Sequence, residues 1–577
     1  MRTRAIAAVL AVAAIVSCRS QAPASRAGSA DATFAALSRE ILEDYFARHP
    51  SAATDLGIHK YDERLDDRTP AAIQAEVSAA QAFRNRLAVL DASTLTLQNA
   101  LDREQLVHAM DATVLSLDVI KRWAKDPDLY SSDITNAAYV IMKREYAPAA
   151  TRLKALIARE KLMPAALQTA RANLTNAVPV YARIAVEQVD GNISFFKNDV
   201  PAAFTSVTDQ ALLSEFTQAN AAVMAALDAY KGYVRDELLP KAAGSFAYGS
   251  DVYLKALAAN ELVDMPLDRL LQIAEQDRAK NEAAFQATAR QIDATKPPDA
   301  VLASLQVQHP APNRLLQETQ GTLDAIRQFL IDHRIVTIPP SDPLKVKETP
   351  PFMRSTTSAS MDTPGPFEPA PLRAFYNMTL PDPRTPQKEQ DDFMRQWYDA
   401  MTVNVSVHEV YPGHYIQFLY VKSLPSDVRK VFGAATNSEG WAHYCEQMMQ
   451  DEGFHGGDPR YRLAQLQDAL LRDVRFIAGI RMHTQGMTVE EATTLFETAG
   501  HQPHPVAVSE AKRGTSDALY GYYTLGKLMI LKLRDDYRAK VGSDYSLQRF
   551  HDAMMQLGPL PLPLVRRALL GEVGTVL

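Results

Sequence analysis

The chain has 577 residues, 47% of them hydrophobic and 22% charged, so it carries enough apolar material to bury a large core. The net charge of −7 is modest and no basic stripe recurs, which leaves nucleic-acid binding without an electrostatic footprint. A prior of roughly 150 residues per domain allows several domains, yet no independent linker divides the text after residue 33, so it reads as one large domain.

Arg2 and Arg4 precede an apolar run from Ala5 to Val16. The run falls short of the roughly 20 apolar residues that span a bilayer and reads as a signal peptide. It ends in Ile15-Val16-Ser17-Cys18, which looks like a bacterial lipobox, where the Cys is lipidated and becomes the new N-terminus. Residues 1–18 are therefore expected to be a lipoprotein signal peptide, with Cys18 anchoring an exported, periplasm-facing protein to a membrane. The plainer alternative is an ordinary signal peptide with a chance Cys. Arg19, after the Cys, offers no acidic retention signal. The only other cysteine, Cys445, then has no intramolecular partner and is expected to be a small buried hydrophobe.

Residues 19–32 are small and polar, a flexible tether. From Phe34 to about His333 the text is helical, with apolar residues at three and four spacings, as in Ala221 to Leu239. Pro50, Pro70 and Pro240 fall between such runs, at expected helix boundaries. No period of 20–50 residues repeats, which excludes a solenoid. Between about Ile335 and Pro386 prolines crowd in, separated by short extended candidates at Leu344–Glu348 and Ala374–Thr379. Helix resumes near Gln387. The expected fold is mainly α: a helical scaffold lobe (33–334), a small antiparallel sheet with loops (335–386) and a second helical part (387–577).

The stretch His408-Glu409-Val410-Tyr411-Pro412-Gly413-His414 carries the first chemistry. Two imidazoles beside a Glu form the core of many zinc hydrolases: the His residues hold the metal and the Glu takes a proton from water. In the usual HExxH form the two His lie at i and i+4 on one helix face. Here the second is at i+6, about 240° away in a regular helix. Pro412, which cannot donate to the carbonyl of His408, and Gly413 offer a bulge that could restore convergence. On spacing alone, a chance cluster is as good a reading.

Downstream comes Glu439-Gly440-Trp441-Ala442-His443-Tyr444-Cys445-Glu446, with Glu439, His443 and Glu446 at i, i+4 and i+7 on one helical face. A carboxylate on the next helix is a fitting third ligand for a His-His-Glu zinc site with a fourth position for water. Taken alone, the stretch reads as a solvated polar face. Together the two motifs, HExxPGH and EGWAxYxE, resemble the bacterial family catalogued as domain of unknown function 885. Ala53–His59 (ATDLGIH) and Pro364–Glu368 (PGPFE) resemble it more weakly.

That family is similar to helical HExxH-type metallopeptidases with a Glu third ligand and a two-lobed fold around a deep cleft. The resemblance implies Zn2+ held by His408, His414 and Glu439, with Glu409 as the base. Glu446 would orient a ligand His from behind, and His443 stands where a less polar residue is expected. The family also carries an Arg, a Tyr and a Gly-Lys pair near the C-terminus, matched here by Arg513, Tyr523 and Gly526-Lys527. Tyr523 is the first choice for oxyanion donor, with Tyr520 and Tyr522 as rivals. Arg513 could clamp a substrate carboxylate or pair with Glu510. His483 could contact substrate from the expected helix Arg475–Met487, or be a satisfied core histidine.

The expected function is zinc-dependent hydrolysis of a peptide or small amide substrate. A non-catalytic metal- or ligand-binding lipoprotein is the alternative from another class, although a closed structural zinc site has no use for Glu409. Hydrolysis of a non-peptide amide or ester would use the same residues. An extended peptide is further expected to lie against a strand near Ser358–Met361 or Ala374–Thr379, bordering the His408 helix.

Overall fold

The structure, a computed structural model, describes residues 24–340, 344–350, 354, 357–369 and 372–577. The expected signal peptide and Cys18 lie outside these residues. Helix begins at Ala24, inside the stretch read as a tether, where an alanine-rich sequence favours helix over coil. Pro50 and Pro70 occupy the first positions of helices Pro50–Asp55 and Pro70–Ala88, where a missing N–H costs nothing; Thr69 caps the second by accepting from the Ala72 N–H. The run around Ala221 forms the helix Gln210–Tyr233, and its last turn widens to a π segment at Val234–Leu238 before Pro240. Among the described residues no helix is long and apolar enough to cross a membrane.

Two large cores form. One joins the helices Asp128–Met142, Ala149–Asn173, Pro179–Ser194 and Gln210–Tyr233 through Ile141, Leu156, Val189, Phe196 and Val223. The other is built by the C-terminal half, with Tyr376, Val407, Ile416, Trp441, Tyr444, Ile477 and Ile530 at its centre. Cys445 is among its fully buried members and is a free thiol. Burial raises that thiol's pKa, so it packs as a hydrophobe.

Among the described residues the proline-rich region holds three strands, β1 (Leu344–Glu348), β2 (Ala359–Asp362) and β3 (Ala374–Met378), in the order β1-β3-β2. The sheet is mixed, not antiparallel as expected from sequence: β1 pairs parallel to β3, and β2 pairs antiparallel to its other edge. The reason lies in the connections. The long crossover from β1 to β3 returns the chain to the same end of the sheet, and β2 is a short return pass within it.

Helices Ala435–Asp451 and Tyr522–Val541 cross at two glycines. A Cβ on Gly440 would stand 2.6 Å from the Gly526 backbone, and one on Gly526 would overlap the Thr436 carbonyl oxygen. Only glycine lets the two backbones touch, and this crossing sets Glu439 beside Tyr523.

Candidate metal centre

The first motif does not bulge. It ends one helix and starts another. Helix Asp399–Glu409 stops immediately after His408-Glu409, and His414 opens helix His414–Lys422. Between them the Gly413 N–H donates to the Val407 carbonyl, and a Cβ on Gly413 would overlap the His408 carbonyl oxygen. The glycine is required by this close approach, and the fresh helix replaces the i+6 geometry that a continuous helix would impose. The Trp441 indole N–H donates to the Pro412 carbonyl at 2.9 Å, tying the turn to the second motif.

The turn brings the three expected ligands together. His408 Nε2 lies 3.5 Å and His414 Nε2 3.3 Å from Glu439 Oε2. One ligand atom from each residue falls within 4.8 Å of the others. Tetrahedral zinc bonds of about 2.0–2.1 Å separate neighbouring ligand atoms by about 3.3 Å, so the spacing fits. Glu439 Oε2 is buried with no hydrogen-bond partner, a lone pair that a cation could accept. Burial opposes a charge on His408, but the nearby Glu439 carboxylate and the bonded Glu446 carboxylate hold its pKa up to about 9. A cation between these groups would take that proton's place.

Glu446 stands behind the site. Its Oε1 is 2.6 Å from His408 Nδ1 and 3.1 Å from Arg472 Nη2, and its Oε2 is 3.2 Å from His443 Nδ1. Burial alone would raise its pKa; Arg472, His443 and the bond to His408 outweigh this and hold it well below the usual carboxylate range. An ionised carboxylate only accepts, so His408 Nδ1 carries the proton and its Nε2 faces the ligand set. Burial also keeps His443 neutral, with a pKa near 3. Its Nδ1–H donates to Glu446, and its role is to complete this network rather than to bind metal.

Glu409 reaches the sheet. Its Oε2 accepts the Met361 backbone N–H of β2 at 2.9 Å. Thr379 N–H donates to the Ser358 carbonyl at the start of the β2–β3 pairing, so the peptide groups of residues 359 and 361 point away from β3. β2 is therefore the edge bordering the His408 helix, while β3 is covered on both sides.

The C-terminal residues divide. The Tyr523 ring centroid lies 6.2 Å from that of His408, and its hydroxyl accepts from Arg513 Nη2 at 3.3 Å. Burial and the charge of Glu439 raise its pKa, so the phenol stays a donor. Arg513 pairs with Asp517 at 3.0 Å rather than with Glu510, which instead holds Arg475 through two bonds of 2.7 Å. Tyr522 donates to Asp517 at 2.9 Å. Two of the candidate substrate contacts lie in the core. Tyr520 is fully buried, its ring filling the space left by Gly479 and Gly514, and is a core residue. His483 donates from Nε2 to the Gly514 carbonyl at 2.8 Å, and burial lowers its pKa to about 4. It is a core histidine on the helix Pro459–Thr484, bonded through Nε2 alone, with its Nδ1 buried and unpartnered.

Sequence reasoning missed Arg472, Asn404 and the Met361 N–H. Asn404 donates to Asp468 at 2.7 Å, and Asp468 also faces Arg472 at 3.3 Å. A signal for Arg472 existed: Arg472, Asp473 and Arg475 interrupt an apolar helix run, and side chains of that kind are buried only when paired.

The class defined by this fold and site is a mainly helical protein with a small mixed sheet and a buried His-His-Glu cluster that could bind a metal. The chain belongs to the family described as bacterial protein of unknown function (DUF885), whose model matches residues 50–569. Two solved structures share the fold. A protein from Shewanella oneidensis, described as a candidate lipoprotein of unknown function, is 24% identical, with a TM-score of 0.78 over 93% of this chain and 99% of its own. A candidate lipoprotein from Colwellia psychrerythraea is 18% identical, with a TM-score of 0.80 over 94% and 98%. No curated protein matches the sequence.

Proposed function

We propose that the protein is a zinc-dependent hydrolase, a metallopeptidase that cleaves peptide bonds with water. The observation that carries the reading is Glu409 beside a three-ligand set: a catalytic site needs such a base and a fourth position, and a closed structural site needs neither. His408, His414 and Glu439 would hold the ion. A bound zinc ion lowers the pKa of water and polarises a carbonyl group. Glu409, fixed on one oxygen by the Met361 N–H, takes the proton from attacking water with the other. Tyr523 donates to the oxyanion as the carbonyl carbon becomes tetrahedral. The cleft expected from the resemblance would run between β2 and the Arg513–Tyr523 wall. The outward carbonyl of Met361 would accept from an extended substrate, and Phe418, stacked 5.9 Å from His414, would support an apolar side chain. Exported lipoprotein status, with Cys18 as anchor, rests on the lipobox-like sequence and agrees with the descriptions of the two structural relatives.

Metal analysis with a peptide-library digest tests this. Wild type should carry one zinc ion per chain and cleave peptides; Glu409→Gln should keep the ion and lose most turnover. Metal at wild-type level in His408→Ala, His414→Ala and Glu439→Ala would overturn the ligand set, and undiminished cleavage by Glu409→Gln would overturn the base.

A further inference from the structure

Glu409 has a backbone partner, and that partner sits on a strand of only four residues, Ala359–Asp362. So short an edge strand holds its place poorly on its own pairing with β3. Something else must fix Met361 to better than a few tenths of an ångström if its N–H is to aim a carboxylate.

The next residue, Asp362, is where the strand is tethered. Its carboxylate takes two parallel bonds from Arg144, Nη2 to Oδ1 at 2.7 Å and Nη1 to Oδ2 at 3.0 Å, and a third contact from Lys143 Nζ at 3.3 Å. Arg144 is 6% exposed, so this is a desolvated, two-point grip that sets orientation as well as distance. Lys143 also reaches Asp55, in the ATDLGIH segment.

The chain leaving β2 is held by the same segment. The Phe367 N–H donates to the Leu56 carbonyl at 3.0 Å, and a Cβ on Gly365 would overlap the Leu56 backbone. Gly57 has a positive φ of 91°, and a Cβ there would stand 2.6 Å from the Glu368 nitrogen. His59 bridges Glu368 (Nε2 to Oε1, 3.2 Å) and Asp62 (Nδ1 to Oδ2, 3.1 Å) while stacking 3.7 Å from the Tyr146 ring. The Tyr146 hydroxyl donates to Asp62 at 2.7 Å, closing the loop two residues after Arg144. Residues 54–62, 143–146 and 362–368 thus form one clasp, and the two weakly marked sequence segments meet in it.

We propose that Arg144 and Asp362 are positioning residues for Glu409: the clasp they anchor holds β2 so that the Met361 N–H fixes the carboxylate of the base. The metal ligands are untouched by this clasp, which separates its effect from metal binding. The inference rests on the hydrolase reading for its kinetic consequence, but not for its structural one.

The test uses full-length wild type, Asp362→Ala, Arg144→Ala, the double variant and Asp362→Glu, with two readouts. Amide hydrogen exchange reports the Met361 N–H directly: it should speed up at least about tenfold in either alanine variant, since a bonded N–H becomes free, with metal content unchanged. Against any peptide the wild type cleaves, kcat should fall about 10- to 100-fold with KM within about twofold, as expected when a carboxylate loses its aim but substrate contacts remain. The double variant should be no worse than Asp362→Ala, because Arg144 acts through the Asp362 carboxylate, and Asp362→Glu should recover part of kcat. Unchanged Met361 exchange in both alanine variants would overturn the clasp whatever the activity of the protein. Faster exchange with unchanged kcat, or a fall in kcat that tracks metal loss, would overturn the positioning role. Should Arg144→Ala fail to fold, Asp362→Asn, which keeps the side-chain shape, carries the same two readouts.

Discussion

His408 Nδ1 and Glu446 Oε1 lie 2.6 Å apart in the interior, and the same oxygen is held by Arg472 Nη2 at 3.1 Å. The pair fixes which ring nitrogen of His408 faces the candidate ligand set, so the affinity for a metal held there would depend partly on a residue outside that set. Glu446→Ala is expected to weaken zinc binding about 10- to 100-fold, the usual cost of losing the carboxylate behind a ligand histidine. A chelator competition titration measures it. Wild-type affinity in that variant would mean that packing alone orients the His408 ring.

Trp441 reaches from the second motif to the Pro412 carbonyl at 2.9 Å, and its ring is fully buried. Trp441→Phe keeps most of the apolar volume and removes the donor, leaving a buried carbonyl unpaired. Destabilisation of about 1–3 kcal/mol is expected, seen as a lower midpoint in thermal unfolding of the metal-free protein. Because the turn it braces presents His414, metal affinity should fall too. A variant that melts as wild type would show that water replaces the indole.

Gly526 sits where the Tyr523 helix crosses the Glu439 helix, and a methyl group there meets the Thr436 carbonyl, one turn before Glu439. Gly526→Ala would gain up to about 1 kcal/mol of helix propensity at an open site. Here overpacking, about 1–3 kcal/mol, should exceed it. The expected outcome is lower stability with weaker metal binding, read from denaturant titration and metal content. A stabilised variant would show that the helices separate freely.

The two motifs were legible together, through the family pattern they resemble; taken singly, the first read equally well as a chance cluster and the second as a solvated polar face. The local path was not legible, since Pro412 and Gly413 allow both a bulge and a helix break, and the choice is made by Trp441, nearly thirty residues on. Strands β1 and β3 stood out between prolines, whereas the direction in which β1 and β3 pair depends on where a long crossover returns. Tyr520 stood out because a polar tip near a motif looks functional until the burial of the ring is known, whereas for His483 a core histidine was already one of the readings. The partners of Glu409 and Glu446, Met361 and Arg472, come from segments distant in sequence, and pairing at that range leaves no period to read.

His59 offers a pH-dependent test of the clasp around β2. Burial works against a charge on this ring, but hydrogen bonds to Asp62 and Glu368, aided by their charges, hold its pKa up to about 9. The groups facing it are these two carboxylates and the stacked Tyr146 ring. Since the folded pKa lies above the ordinary value of 6.5, the charged form stabilises the fold fully below pH 6.5, and this contribution is lost as the pH rises through 9. His59→Gln keeps a hydrogen-bond donor and removes the titration. The stability difference between wild type and this variant should therefore be largest near pH 6, on the order of 1–2 kcal/mol after screening of a partly exposed group, and shrink toward zero by about pH 10. His49, also raised to about 9 by Asp66 and Glu76 against its burial, titrates in the same window but is common to both proteins, so it cancels in the difference. Paired thermal melts across this range give the comparison, and a difference that stays constant with pH would mean that His59 acts in the clasp as a neutral ring.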